Sequence, residues 1–318
     1  MLARRLLLAV PLAAPVLAQE AFPARPVRII VPFPPGQATD IFARLIAERL
    51  GEAWGLRVVV ENRAGGAGVI GMEAGARAAP DGHTLTMGTS GTLGINPGIM
   101  PQLPYDVERD YAPVAGVFSV PLVVVVHPSL GVDSLAALIA RAKAAPGTID
   151  YASGGPGTAQ HLAMELLCLR AGMKLNHVPY RGSGPALADV LSGNVKLMMD
   201  SLASALPQVR DGRLRALAVT SAERVPQLPD VPATVETVKG TEATGWAGLV
   251  APTGTPAAII GRINADISAI LESPAAADRM RELGGTPMPG SADDFGAFIR
   301  AEIGKWREVA RAANVRLE

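Results

Sequence analysis

Short apolar runs alternate with longer amphipathic runs along most of this chain. The short runs are rich in Val and Ile, which is typical of strands, while the longer runs repeat their apolar residues with a helical period. The run from Val120 to His127 is continuous, as expected for a strand buried on both faces. Strands are predicted at 27–31, 57–61, 84–88, 120–127, 175–178, 195–199 and 215–220, and helices at 40–50, 69–79, 135–145 and 185–191. This βαβ alternation predicts an α/β fold class with mostly parallel sheets flanked by helices.

Capping side chains mark several of the predicted helix starts. Asp133 is predicted to cap the helix at 135–145, and Thr158 to cap a helix that runs to Arg170. The C-terminal third is mainly helical, with helix starts predicted at Thr255-Pro256, Ser273-Pro274 and Ser291.

The first residues have the pattern of a cleavable export signal. A short positive segment ends at Arg5, an apolar run of 12 residues follows from Leu6 to Leu17, and cleavage is predicted after Ala18. A membrane anchor is the alternative interpretation, but this run is too short to span about 30 Å of hydrocarbon. Residues 1–18 are therefore predicted to be a signal peptide.

Composition excludes several classes of protein. Lys and Arg together number 29, as do Asp and Glu, so no excess of positive charge favours binding to nucleic acid. The single cysteine, Cys168, is predicted to be a small core residue, and the four histidines do not have metal-ligand spacing. The mature chain is too long for one ordinary core and suits two domains. No cofactor or metal is predicted.

Four turns rich in Gly, Ser, Thr and Pro follow predicted strands. In open α/β sheets, ligands bind outside the carboxyl ends of the strands. Backbone N–H and hydroxyl groups there hold a carboxylate by several hydrogen bonds, without a counter-charge. The predicted ligand-binding residues are Phe33, Gly36, Gln37, Ala38 and Thr39 in the first turn, Thr89 and Ser90 in the second, Gly154, Gly155, Gly157, Thr158 and His161 in the third, and Arg181 and Asp200 in the fourth.

Several motifs, in order along the chain, resemble those of one family of proteins. They include Pro-Phe-Pro-Pro-Gly at 32–36, Asn-Arg-x-Gly-Gly-x-Gly at 62–68, Pro-Asp-Gly-His-Thr-Leu at 80–85, Gly-x-Gly-x-x-x-His at 155–161, Val-Pro-Tyr-Arg-Gly at 178–182 and Leu-Pro-Asp-Val-Pro at 228–232. Together they resemble the Bug-type periplasmic receptors of tripartite tricarboxylate transporters.

The resemblance implies a fold, a location and a function. It implies a two-lobed periplasmic-binding-protein fold of type II character, in which a Venus-flytrap cleft lies between the lobes. The expected function is to capture a small carboxylate in the periplasm and deliver it, as a monomer, to inner-membrane tripartite tricarboxylate permease subunits. The candidate ligands are di- or tricarboxylates, aromatic carboxylates, and acidic or amide amino acids. The family's carboxylate pincer maps onto residues 33–39 and 154–158.

A two-lobed fold also implies domain boundaries. The segments 114–126 and 244–250 both resemble strands and would run side by side as the hinge. The first domain is then residues 22–121 with 244–318, and the second is residues 122–243.

One residue departs from the family pattern. The family usually has Pro-Gly-Gly where this chain has Pro-Gly-Gln, so Gln37 replaces a glycine. If that position needed a positive φ, Gln37 would cost about 1 kcal/mol or more. The amide of Gln37 could instead reach the pocket and alter the ligand preference.

Other interpretations remain open at this point. Gly66 to Gly71 fits a dinucleotide-binding fingerprint, but the acidic residue expected about 20 residues later is missing. His161 is interpreted as a neutral side chain that ties two loops together rather than as a general base. Arg181 either pairs with a ligand carboxylate or fixes a domain wall, and Asp200 either binds a ligand amine or hydroxyl or caps the helix that begins at Ser201. The alternatives to a transport receptor are a secreted α/β enzyme and a ligand sensor acting on a two-component kinase.

Overall fold

The computed structural model describes residues 22–312, so the predicted signal peptide lies outside the described residues. The strands are β1 (Val27–Val31), β2 (Val58–Asn62), β3 (Thr84–Thr89), β4 (Tyr111–Val126), β5 (Asp150–Ser153), β6 (Asn176–Pro179), β7 (Leu197–Ser201), β8 (Arg215–Val219), β9 (Thr244–Pro252) and β10 (Thr286–Pro287). The helices are α1 (Ala38–Trp54), α2 (Val69–Ala76), α3 (Asn96–Ile99), α4 (Val107–Asp110), α5 (Leu135–Ala144), α6 (Ala159–Ala171), α7 (Ser183–Leu191), α8 (Leu202–Arg210), α9 (Thr234–Thr237), α10 (Ala257–Glu272), α11 (Pro274–Glu282) and α12 (Ala292–Ala312). Within this part of the chain, no helix has the length and apolar character needed to cross a membrane.

Strand β4 connects two groups of strands. Its first part, residues 111–121, pairs antiparallel with β9. Beyond β9 the neighbouring strands of the sheet are β3, β1 and β2, in that order. Its last five residues, 122–126, pair antiparallel with β7, and residues 123–126 also pair antiparallel with β8. Beyond β7 the sheet continues with β5 and β6. The predicted strand at 120–127 is therefore only the end of a strand of 16 residues. The segments predicted to form the hinge do lie side by side.

The sheet is mixed rather than mostly parallel. β1 pairs parallel with β2 and β3, and β5 pairs parallel with β6 and β7, as the βαβ pattern predicts. The antiparallel pairs all involve β4 or β9. β9 runs antiparallel to β3 in the first group, and β4 runs antiparallel to β7 and β8 in the second.

Most helix starts lie close to their predicted positions, and two differ in their capping. Thr158 caps α6 and Ser273 caps α11 through their side-chain oxygens, as predicted. The prediction that Asp133 caps α5 was wrong, because the Ser134 hydroxyl accepts the hydrogen bond from the Ala137 N–H. Pro256 directly precedes α10, while the Thr255 hydroxyl donates to the Pro252 carbonyl and does not cap the helix.

A buried carboxylate attaches the C-terminal helix to the central strands. Glu302 on α12 accepts hydrogen bonds from the indole N–H groups of Trp246 on β9, at 2.7 Å, and Trp306, at 2.9 Å. Both bonds reach the same oxygen, Oε2, and both rings are about 2% exposed or less. Lys305 lies 3.3 Å from the other oxygen of Glu302. The long α12 therefore returns from the end of the chain to the middle of the sheet.

We expect Glu302→Ala to lower the free energy of unfolding by at least about 2 kcal/mol, because it leaves two buried indole N–H groups without an acceptor. Glu302→Gln is the matched control, since its amide oxygen can accept both hydrogen bonds, and it should lose less than half as much. Urea denaturation of the three proteins measures the difference. Equal losses in the two variants would contradict this account of α12.

Candidate ligand-binding site

A cleft with about 470 Å³ of empty volume, part of it open to solvent, lies where the two groups of strands meet. Its walls come from the ends of β1, β3 and β7, from the start of α6, and from the middle of β4 and the start of β9. Residues that line it are Phe33, Gln37, Ala38, Thr39, Thr89, Ser90, Gly91, Phe118, Val120, Leu122, Thr158, Ala159, Gln160, Ser201, Gly245 and Trp246.

The lining combines apolar surface with neutral polar groups. Among the described residues that line the cleft, none is Lys, Arg, Asp or Glu. The polar groups are hydroxyls and side-chain amides, which donate hydrogen bonds without formal charge. Such a surface suits a ligand that has a hydrogen-bonding end and a hydrocarbon part.

The first turn is fixed by a buried carboxylate behind it. Asp40, 4% exposed, accepts hydrogen bonds from the Gly36 N–H at 3.0 Å, from Asn62 at 2.9 Å and from Arg44 at 3.1 Å. Asn62 also donates to the Phe33 carbonyl at 3.0 Å. Burial raises the pKa of Asp40, but the hydrogen bonds from Arg44, Gly36 and Asn62 outweigh it, so the pKa lies below its ordinary value. The ionised carboxylate therefore holds the turn in place.

Gln37 does not occupy a strained position. Its φ is −81°, and it is the N-cap residue of α1, so the cost of a positive φ does not arise. The positive φ of this turn, +88°, belongs to Gly36. Nothing lies within 4 Å of the place that a Cβ on Gly36 would occupy, so only the backbone conformation requires glycine there.

The second turn is closed by reciprocal hydrogen bonds. The Thr89 hydroxyl accepts from the Thr92 N–H, and the Thr92 hydroxyl accepts from the Thr89 N–H at 2.9 Å. Tyr105 donates to the Thr92 carbonyl at 2.7 Å. These bonds occupy the Thr89 side chain and leave Ser90, which is 2% exposed, at the wall of the cleft.

The third turn is supported by a pair of neutral histidines. The Gly157 N–H donates to Nδ1 of His161 at 3.2 Å, and the His161 ring stacks on His177 with centroids 4.2 Å apart. His177 in turn bonds the Ser153 hydroxyl at 2.6 Å. Burial and, to a smaller extent, His177 lower the pKa of His161 to about 3, while burial lowers the pKa of His177 to about 4. His161 thus supports the turn from behind through its Nδ1.

Asp200 lies fully buried behind the cleft at the end of β7. Its Oδ1 accepts from the Ser183 hydroxyl at 2.5 Å, from the Ser201 N–H at 2.8 Å and from Gln160 at 3.4 Å. Its Oδ2 has no partner among the described residues. Burial raises the pKa of Asp200 to about 6, against the effect of these hydrogen bonds. Of the two alternatives for Asp200, capping of the next helix is wrong, since the Ser201 hydroxyl caps α8 by accepting from the Ser204 N–H.

The structure divides the predicted ligand-binding residues into two sets. Half of them line the cleft, namely Phe33, Gln37, Ala38, Thr39, Thr89, Ser90 and Thr158. The others do not line it, and they are Gly36, Gly154, Gly155, Gly157, His161, Arg181 and Asp200. Within this second set, Gly36, Gly157 and His161 shape the turns, whereas Arg181 is exposed.

Several lining residues were missed because they lie within strands or helices rather than in glycine-rich turns. Phe118, Val120 and Leu122 face the cleft from β4, Gly245 and Trp246 from β9, and Ala159 and Gln160 from the first turn of α6. The predicted hinge segments contained the strand residues of this set. The two hinge segments, together with the alternation of side chains along a strand, would have been enough to predict these strand residues.

Glycines allow the two sides of the cleft to approach each other closely. A Cβ built on Gly91 would lie 3.3 Å from the Gly157 carbonyl oxygen. A Cβ built on Gly182 would lie 2.7 Å from the Gln37 side-chain nitrogen and from the ring of Pro34. Turns on opposite sides of the cleft are therefore packed together through glycine.

Comparison with known proteins identifies the family. Residues 42–315 match the model of the tripartite tricarboxylate transporter family receptor, TctC. The chain belongs to this family. Protein BugT of Bordetella pertussis strain Tohama I is 42% identical over 309 residues, which cover 96% of this chain and 94% of BugT.

Solved structures of this receptor family share the fold. The R. palustris protein Rpa4515, solved with adipate, superposes with a TM-score of 0.91 at 37% identity and covers 93% of this chain and 99% of that one. The periplasmic binding protein BugD superposes with a TM-score of 0.89 at 32% identity and covers 93% of this chain and all of BugD. The predicted α/β periplasmic-binding-protein fold is confirmed.

We expect Asp40→Asn to lower the free energy of unfolding by about 1–3 kcal/mol at neutral pH, because the ionised acceptor of the first turn is lost. The folded-state pKa of Asp40 is lowered, so its contribution is present above the ordinary value of 3.8 and is lost as the pH falls through the folded-state pKa. Urea denaturation at several pH values should show the two proteins converging in acid. If the two free energies of unfolding still differ equally in acid, the ionised Asp40 does not have this role.

The opposite pH dependence is expected for Asp200, whose folded-state pKa is raised. Its neutral form is favoured on folding, so its contribution is present below 3.8 and is lost as the pH rises through about 6. The wild type should therefore lose stability relative to Asp200→Asn between about pH 4 and about pH 7. Thermal denaturation of both proteins across this range measures the effect, and parallel curves would show that folding does not raise the pKa of Asp200.

Proposed function

We propose that this chain is exported by cleavage of residues 1–18 and captures a small carboxylate in the periplasm for delivery to inner-membrane tripartite tricarboxylate permease subunits. The observation that carries the proposal is a cleft lined by neutral donors and apolar side chains, in a chain of the tricarboxylate receptor family. The related Rpa4515 was solved with adipate, which supports a carboxylate as the ligand.

The chemistry of the cleft accounts for binding an anion without a cation. Thr158 begins α6 and lies at the cleft, so a carboxylate there meets the positive end of a helix of 13 residues. The hydroxyl-bearing residues Thr39 and Ser90 line the same cleft. Several neutral donors of this kind replace the water lost by a carboxylate, at a lower desolvation cost than a buried Lys or Arg.

The strand pairing supports a two-lobed arrangement. We propose that residues 22–121 with 244–318 form one lobe, that residues 122–243 form the other, and that the chain works as a monomer. The first lobe then contributes the turns after β1 and β3, and the second those after β5 and β7. Ligand binding at the contact of these turns would close the lobes by a hinge at β4 and β9.

The receptor family argues for binding without catalysis, and the site has the same character. Nδ1 of His161 already accepts a hydrogen bond from the Gly157 N–H, which argues against a role as a general base. A ligand sensor acting on a two-component kinase would use the same cleft. Binding alone does not distinguish it from transport, whereas uptake of labelled ligand by cells with and without the permease would.

A thermal-shift screen tests the ligand class. Carboxylates of three to nine carbons, or acidic and amide amino acids, should raise the melting temperature in proportion to the logarithm of their concentration. Stabilisation by sugars, polyamines or nucleotides alone would overturn the proposal.

We expect Gly157→Val to weaken carboxylate binding at least about tenfold, or about 1.4 kcal/mol, because it distorts the turn beside Thr158. Gly157 has φ +78°, so a β-branched residue there is strained as well as bulky. The matched control is Gly172→Val at the other end of α6, where φ is +62° and nothing lies within 4 Å of an added Cβ. Calorimetric titration should show normal carboxylate affinity for Gly172→Val. An equal loss of affinity in both variants would mean that general backbone strain, and not the turn beside Thr158, causes the effect.

A further inference from the structure

The side-chain nitrogen of Gln37, Nε2, lacks a hydrogen-bond partner among the described residues although it is buried. The residue is 6% exposed and lines the cleft, and its Nε2 contacts no acceptor among residues 22–312. An unpaired buried donor of this kind costs about 1–3 kcal/mol. An acceptor that is supplied only when the site is occupied would remove this cost.

The turn itself does not need the amide. The backbone of Gln37 begins α1, because its carbonyl accepts from the Ile41 N–H at 2.9 Å, and its side chain makes no capping bond. Asp40 and Asn62 already fix the rest of the turn. The side chain of Gln37 is therefore free to interact with something else.

The amide lies beside the start of a helix on the opposite side of the cleft. Its Nε2 is 2.7 Å from the place that a Cβ on Gly182 would occupy, and Gly182 directly precedes α7, which has nine residues. No side chain caps this helix start, and the hydroxyl of Ser183 is engaged with Asp200. The first N–H groups of an α-helix have no acceptor within the helix. In α7 these are the N–H groups of Ser183 and Gly184, since Pro185 has none. An oxygen acceptor beside Gly182 would satisfy the Nε2 of Gln37 close to this helix start.

We propose that Gln37 is a specificity-determining residue whose Nε2 donates a hydrogen bond to a second oxygen-bearing group of the bound ligand, beside the start of α7. This inference rests on the proposed function, since it assumes that the cleft holds a carboxylate. It predicts that the cleft selects carboxylates with an oxygen acceptor at the far end over those that end in a hydrocarbon chain. The apolar side chains of Phe118, Val120 and Leu122 would pack against the carbons between the two ends.

Matched pairs of ligands test the selection. Linear dicarboxylates of four to eight carbons are compared with the monocarboxylates of equal length by calorimetric titration. Wild type should prefer the best dicarboxylate over its monocarboxylate partner by about tenfold or more, because the monocarboxylate leaves Nε2 unpaired. Gln37→Leu, which is similar in size but has no donor, should reduce this ratio to about threefold or less.

A second glutamine in the cleft is the matched control. Gln160 also lines the cleft, but its Nε2 is already directed at Asp200. Gln160→Leu should change the affinity for both members of a pair by a similar factor and keep their ratio. If Gln37→Leu keeps the wild-type ratio, or if Gln160→Leu abolishes it equally, Gln37 is not the selecting residue.

Gln37→Glu distinguishes donation to the ligand from a bond to the helix start. If Nε2 donates to a ligand oxygen, the carboxylate introduced by this substitution repels the second anionic group, and dicarboxylate affinity should fall more than in Gln37→Leu. If the amide oxygen instead caps α7, the introduced carboxylate would strengthen that bond and dicarboxylate affinity would be kept or increased, which would overturn the inference. Failure of wild type to bind any carboxylate would overturn the proposed function as well, whereas normal binding with an unchanged ratio would overturn this inference alone.

Discussion

The architecture depends on one continuous strand. β4 pairs with β9 through its first part and with β7 and β8 through its last five residues, so both groups of strands are hydrogen-bonded to the same segment of backbone. The cleft lies where that segment passes from one group to the other. Phe118, Val120 and Leu122 line it from the crossing point, because alternate side chains of a strand face the same side. The floor of the cleft is therefore set by backbone pairing, and the turns at the strand ends provide its walls.

Around that floor, ionisable groups shape the turns without entering the cleft. Asp40 is buried behind the first turn and Asp200 behind the fourth, and their pKa values shift in opposite directions because only Asp40 has a cationic partner, Arg44. The neutral stack of His161 and His177 supports the third turn in the same way. An anionic ligand thus meets dipoles that are already oriented, which lowers the cost of reorganisation on binding.

Much of this arrangement was predictable because it depends on local chemistry. The strand ends are marked by Gly and Pro, and Thr158 and Ser273 cap the helices predicted for them. The prediction that Asp133 caps α5 was wrong because Asp133 and Ser134 are both suitable capping residues. Only the backbone geometry shows that Ser134 is the N-cap.

Long-range contacts account for what the sequence could not predict. The bond between Asp40 and Asn62 joins α1 to β2, and no local pattern shows that these residues meet. Trp246 and Gln160 were missed for the same reason, since their position at the cleft depends on how β9 and α6 pack. Gln37 was recognised as unusual, but its backbone angle and its unpaired nitrogen were visible only in the fold.

The position of Trp246 gives the protein an internal optical reporter. Of the three tryptophans, Trp246 lines the cleft, while its indole N–H is held by Glu302 and the rings of Phe295 and Phe298 lie edge-on to it. Its orientation is thus fixed by groups other than the ligand. Indole emission depends on the polarity around the ring, so replacing water in the cleft with a hydrocarbon chain would change the spectrum without any movement of Trp246. Occupancy of the cleft would therefore be readable from intrinsic fluorescence, with no attached label.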